Sequence, residues 1–257
     1  MAAVAENFEK TLYAPEILPG FRGRELTQKT LRLRSGIPSL DAELGGGLVR
    51  GRINEIIGRI GRGRTSLAAA FLARATVRGE VAAWIDFAGA FDPMSIGAAG
   101  VDLTRVLWIG CAGPRAIKER EREKIFLKAA ELVIETGGFG LMVCDFGPRS
   151  FPLMSSAALR IARRAERTGT VVLMLAERRM CGTFAALTLN LIRGEARFTR
   201  PARFAPMLFD GLAIEACVAR NKLGGAGFTA AFKARVDPDA DDASGVPRPS
   251  WAVSHAS

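Results

Sequence analysis

The stretch from Ile53 to Ala75, INEIIGRIGRGRTSLAAAFLARA, constrains the fold more than any other. An apolar run leads into a glycine-rich turn and then into an alanine-rich segment, the order of a strand, a loop and a helix. The turn nearly reproduces G-x-x-x-x-G-K-[ST], with Gly58, Gly63 and Thr65 in register and Arg64 in the lysine position. Such a loop cradles phosphate because the strand delivers consecutive backbone N–H groups and the helix N-terminus adds its dipole. A lysine then reaches the outer phosphates, and the Ser/Thr hydroxyl binds magnesium. Gly58, Gly61, Gly63, Arg64, Thr65 and Ser66 are therefore the nucleotide-binding candidates, with Thr65 also a metal candidate. Arginine keeps the charge but is a wide planar fork where the cradle suits a slim point charge. We expect weakened nucleotide binding and poorer placement of the reacting phosphate.

Beyond this loop, apolar runs alternate with helical ones: VAAWIDF (81–87), VLWIG (106–110), the charged AIKEREREKIFLKAAELVIE (116–135), LMVCDF (141–146), SSAALRIARRAER (155–167) and TVVLMLAE (170–177). Near-continuous apolar strands separated by helices predict an α/β fold, with a mostly parallel central sheet flanked by helices. Then TLNLI, GLAIEACVAR and FTAAFKARV follow one another as consecutive strands, an antiparallel C-terminal extension. Upstream, Pro38 and Ser39 precede a short helical LDAEL that Gly45 to Gly47 end. The expected organisation is an N-terminal segment 1–34 with a short helix in AENFEKTL, a core domain 35–236, and a flexible acidic, proline-containing tail 237–257.

Asp145 closes the apolar LMVCD, the place for a carboxylate that holds the magnesium shell. A strand-end aspartate capping the next turn is the alternative. The single histidine, His255, lies in the tail, which argues against histidine-based hydrolysis and most catalytic zinc sites. Cys111, Cys144, Cys181 and Cys217 are too far apart in sequence for a zinc ribbon or a C-x-x-C pair and read as buried free thiols. Neither an apolar run long enough to cross a bilayer nor a signal-peptide pattern is visible, so we expect a cytoplasmic protein with no membrane partner. The net charge of +10 suits an anionic partner, nucleic acid first.

The blocks SGIPSLDAELGGGLVRGRINEIIGRIGRGRTSL, AAWIDFAGAFDPMSIGAAGVDLTRVLWI, LMVCDF, TVVLMLAERR and CVARNKLGGAGFTAAFKARV resemble the core of the RecA recombinase family. The resemblance implies a RecA-like P-loop core, with ATP, Mg2+ and DNA as ligands. It implies that Asp92 lies near the adenine and that Asp145 faces magnesium. The family's catalytic glutamate corresponds to Ala88, which can neither accept a proton nor orient water. Its γ-phosphate-sensing glutamine corresponds to Glu177, whose charge opposes phosphate. Arg220, Asn221 and Lys222 match a basic pair that reaches a neighbouring subunit's ATP, which implies a homo-oligomer; on a bare reading they are an exposed turn. Of the two DNA-binding loops, the second is severely shortened, and FGPRSFPLMS (146–155) is a compact substitute for the first.

Members with such losses resemble the ImuA group, which implies a role in DNA repair, damage-induced (SOS) mutagenesis and translesion synthesis. The partner is then RecA or an error-prone polymerase complex, ATP and Mg2+ binding is weak or lost, and hydrolysis is slight or absent. A divergent recombinase acting as a DNA-dependent ATPase is the alternative, and a purely structural module is a third.

Two basic concentrations stand out. Arg160, Arg163, Arg164 and Arg167 recur at helical spacing and predict one positive face, for DNA or an acidic partner. Its plainer explanation is an ordinary solvated face. Arg193, Arg197, Arg200 and Arg203 are interleaved with Phe198 and Phe204, which suits single-stranded DNA, where phosphates pair and bases stack. Those aromatics serve equally as core or interface anchors. The KEREREK run is attributed to local opposite-charge pairs.

Overall fold

The computed structural model describes residues 32–111, 118–148, 150–200, 207–223 and 229–235. Eight strands form the main sheet: β3 (Ile53–Ile57), β4 (Val81–Asp86), β5 (Val106–Gly110), β6 (Phe139–Asp145), β7 (Val171–Ala176), β8 (Ala185–Thr199), β9 (Leu208–Asn221) and β10 (Thr229–Arg235). Their order is β10-β9-β8-β3-β7-β6-β4-β5. From β8 to β5 every pairing is parallel, while β8–β9 and β9–β10 are antiparallel, so the expected mixed architecture holds. A small pair, β1 (Arg32–Leu33) and β2 (Leu48–Val49), lies ahead of the sheet.

Helices cover both faces because the strands are apolar on both. On one side lies α2 (Arg64–Val77), whose Leu67, Phe71 and Leu72 pack with Ile56, Trp84, Leu173 and Leu189. On the other lie α4 (Glu119–Thr136) and α5 (Ser155–Thr168), whose Phe126, Val133 and Ile161 pack with Ile85, Met142 and Met174. Two short helices complete the set, α1 (Pro38–Glu43) and α3 (Pro93–Ala98). Pro38 opens α1 rather than preceding it, since the first helical turn has no use for the missing N–H.

β3, at the heart of the sheet, carries two buried polar residues. Asn54 accepts from Val49 N–H and donates to Val49 and Arg52 carbonyls, which fixes β2 against β3. Glu55 accepts from the Met180 and Cys181 N–H groups and from the Thr188 hydroxyl, which ties β3 to the β7–β8 connection.

The thiols divide. Cys144 and Cys181 are buried, but Cys111 and Cys217 are half-buried, so only two of the four match the buried expectation. Burial beside Asp86 pushes the Cys111 thiol up to about 11, and burial holds Cys144 and Cys181 well above the usual range, so none of these three is poised as a thiolate nucleophile. The helix expected in AENFEKTL, the 237–257 tail and Arg203 lie outside the described residues. No helix among the described residues is long and apolar enough to cross a membrane.

Candidate nucleotide site and basic surfaces

The glycine loop leaves the sheet at Ile57 and enters α2 at Arg64, as its spacing predicts. Gly63 caps the helix in the left-handed region, φ 88°, a conformation that a side chain disfavours. The loop is seated by its neighbours. Gly58 N–H donates to Ala176 O at 3.1 Å, and Arg62 Nη1 donates to Leu191 O at 3.1 Å. A Cβ on Gly194 would lie 2.8 Å from Arg62 Cα, so that glycine lets β8 pass directly against the loop.

Arg64 is 7% exposed, and its Nη1 is buried without a hydrogen-bond partner. Burial lowers its pKa, while the negative charges of Asp145 and Glu177 oppose that shift. The guanidinium therefore lies in the field of the two acids where β6 and β7 end, but makes no ion pair with either among the described residues. Thr65 is half-buried in the first turn of α2, and Ser66 is exposed.

Asp145 is 2% exposed and accepts from Gly147 N–H at 2.9 Å. Burial raises its pKa, partly offset by that N–H and by Arg64, and reinforced by Asp86. A carboxyl whose folded-state pKa is raised contributes stability that is fully present below its unfolded value and is lost as pH rises through the folded value. At neutral pH the ionised carboxylate therefore costs stability. Asp145→Asn keeps an acceptor for Gly147 N–H without the charge. Its thermal midpoint at pH 7 is expected above that of the unaltered protein, with the gap closing as pH falls below the ordinary aspartate value. Scanning calorimetry across that range reads both.

Ala88 leaves β4 half-buried, and its N–H donates to Asp145 O at 3.1 Å. The nearby acid that sequence reasoning missed is Asp86, paired in register with Asp145. It is no substitute base, because Gly89 and Ala90 N–H groups occupy Oδ1 and Phe91 N–H occupies Oδ2. Asp92 is exposed and caps α3, accepting from the Met94 and Ser95 N–H groups and the Ser95 hydroxyl. Those bonds hold its carboxyl below the usual range, the Ser95 hydroxyl contributing most.

Arg220 and Asn221 end β9, and Lys222 follows in the turn. Asn221 stands beside Leu187, itself beside Asn54, so the group lies towards the opposite end of the parallel strands from the loop. Lys222 Nζ donates to Thr183 O, and Asn221 Oδ1 accepts from Leu223 N–H.

The α5 arginines do not form a free positive face. Arg160 pairs with Glu131, and Arg164 bridges Glu131 at 3.2 Å and Glu135 at 2.8 Å. α4 packs against α5 and turns those acids towards it, which a helix read alone cannot reveal. Only Arg163 and Arg167 stay exposed without a partner among the described residues. The charges of α4 also reach beyond their own helix, since Glu123 accepts from Met154 N–H and Arg122 lies over the Phe87 ring at 5.8 Å. On the β8–β9 hairpin, Arg193 is 69% exposed with Glu195 at 3.5 Å, Phe198 is 53% exposed, and Arg200 is exposed just past β8. Arg197 lies within β8.

A glycine loop between a central parallel strand and a helix, with an acid ending a nearby strand and an antiparallel margin, defines a P-loop protein of the RecA-like α/β class. Residues 6–148 match the family model of the RecA N-terminal domain, and the chain belongs to that family. It is similar to the RecA proteins of Picosynechococcus sp. (29% identical over 171 residues, 60% of this chain and 47% of that protein) and Deinococcus radiodurans (31% over 160 residues, 55% and 42%). A third relative is the RecA protein of Trichodesmium erythraeum, 36% identical over 105 residues, which are 41% of this chain and 29% of that protein. The chain thus spans less than half the length of each.

Proposed function

We propose that this protein is a degenerate RecA-like accessory factor of DNA repair, which binds single-stranded DNA and holds ATP weakly without turning it over. The observation that carries the reading is the acid inventory beside the loop. Ala88 supplies no base, Asp86 is occupied by three backbone N–H groups, and Glu177 brings negative charge towards the phosphate site. The phosphates of ATP fit on a separate observation, the buried Arg64 Nη1, a donor without an acceptor that a phosphate oxygen would complete. Thr65 and Asp145 would hold magnesium, whose contribution when bound is to neutralise phosphate charge. Asp92 is the adenine-side candidate of this reading.

The DNA contacts are assigned to Arg193, Arg197 and Arg200 of the hairpin together with Arg203, which lies outside the described residues, and secondarily to Arg163 and Arg167 of α5. The protein partner is RecA or an error-prone polymerase complex acting in the SOS response and translesion synthesis. Arg220, Asn221 and Lys222, turned away from their own loop, would serve a neighbouring copy. The test is ATP binding and phosphate release with and without single-stranded DNA. Binding without turnover supports the proposal; turnover at recombinase rates, abolished by Asp145→Ala, overturns it.

A further inference from the structure

The loop that would hold ATP is itself bordered by arginines that the nucleotide reading does not use. Ile57 pairs with Ala176, so Arg59 and Arg178 each stand two residues beyond adjacent strand ends. Both are exposed, and their side chains make no hydrogen bond or ion pair among the described residues. Arg62 stands between this pair and the hairpin, held to it through Leu191 O, with Gly194 packed on its backbone. The root of the hairpin and the rim of the loop are therefore one continuous surface.

The acids of this edge do not cancel that charge. Asp145 and Asp86 are buried, Glu177 is half-buried, and Glu195 faces Arg193. Apolar groups are interleaved with the arginines: Ile60 at the tip of the loop is 65% exposed, Ile192 40% and Phe198 53%. Guanidinium groups alternating with exposed apolar side chains fit a flexible strand whose phosphates pair while its bases lie on apolar surface. A rigid duplex keeps its bases stacked inside and has no use for the apolar members.

We propose that Arg59, Arg62 and Arg178 extend the hairpin's single-stranded DNA surface across the outer rim of the phosphate loop, so that DNA and ATP exclude one another here. The exclusion is electrostatic. Phosphates held inside the loop by Arg64 would lie within a few side-chain lengths of strand phosphates on the rim, and like charges at that range repel. This inference rests on the proposed binding of single-stranded DNA.

The test titrates the full chain with a fluorescently labelled oligothymidylate at several salt concentrations, with and without ATP. The Arg59→Ala/Arg178→Ala variant is expected to bind about tenfold more weakly. Its plot of log affinity against log salt should be shallower by about 1.4, the loss of two single-strand phosphate contacts. A charge-matched Lys124→Ala/Lys128→Ala variant, altered at exposed positions on α4, keeps the original slope. ATP lowers the affinity of the unaltered protein for the oligonucleotide. If the loop variant retains both affinity and slope, or if ATP leaves binding unchanged or strengthens it, the inference is overturned while DNA binding by the hairpin stands. If the unaltered protein binds no oligothymidylate, both readings fall.

Discussion

The triple variant Arg64→Lys, Ala88→Glu, Glu177→Gln is expected to release phosphate from ATP at least about 100-fold faster than the unaltered protein, the lower end of what a positioned base contributes. Each change answers a physical defect. A lysine offers a narrow point charge where the buried guanidinium now spreads beside Asp145 and Glu177. A glutamate at position 88 starts from a half-buried residue whose N–H is bonded to Asp145 O, so its carboxylate begins next to the acid that faces the loop. A glutamine at 177 removes a negative charge from the phosphate's surroundings and can donate to it. Among the single variants, Ala88→Glu should contribute most, and Arg64→Lys alone should change binding more than rate. A phosphate-release assay with and without single-stranded DNA separates them. If the triple variant is no faster than the unaltered protein, Ala88 is not the position that limits chemistry.

Glu55→Ala is expected to cost about 3 kcal/mol or more of stability, because it strips the acceptor from three buried donors at once. The Met180 and Cys181 N–H groups have no water to turn to, since both residues are 2% exposed. The Thr188 hydroxyl loses its partner on β8 at the same time. Glu55→Gln should recover much of the loss, because the amide oxygen still accepts from both N–H groups and the hydroxyl can rotate to accept from the amide nitrogen. Urea unfolding of the three proteins checks the order. Equal stabilities would mean that the β7–β8 connection finds other acceptors.

The sequence carried the core strands, because strands buried on both faces must be apolar throughout and INEII, VAAWID and VVLMLA have few alternatives. The glycine loop was legible for a similar reason: its spacing is set by backbone geometry. What escaped the sequence depended on partners far away in it. Glu55 is a lone acid in the apolar run INEII, and only the chain folded across β7 and β8 reveals the donors it serves. Asp86 ends the apolar VAAWID, and only the folded loop that follows shows the N–H groups that wrap around it. The α5 face lost its charge to α4, whose packing opposite no periodicity predicts. β8 was legible only as TLNLI, because its far half, RGEARFT, leaves the apolar core for a ribbon formed with β9 and β10.

That ribbon also sets an order of assembly. β8 and β9 are neighbours in sequence and can zip together early, whereas Ile53 must find Ala185 across about half of the chain before β3 is enclosed. Until it does, Gly58 has no Leu191 to rest on and Arg62 no carbonyl to hold. The phosphate loop, first in the chain to be recognisable, is thus among the last parts to acquire its shape, and a partner that grips the ribbon during synthesis would reach the chain before any nucleotide could.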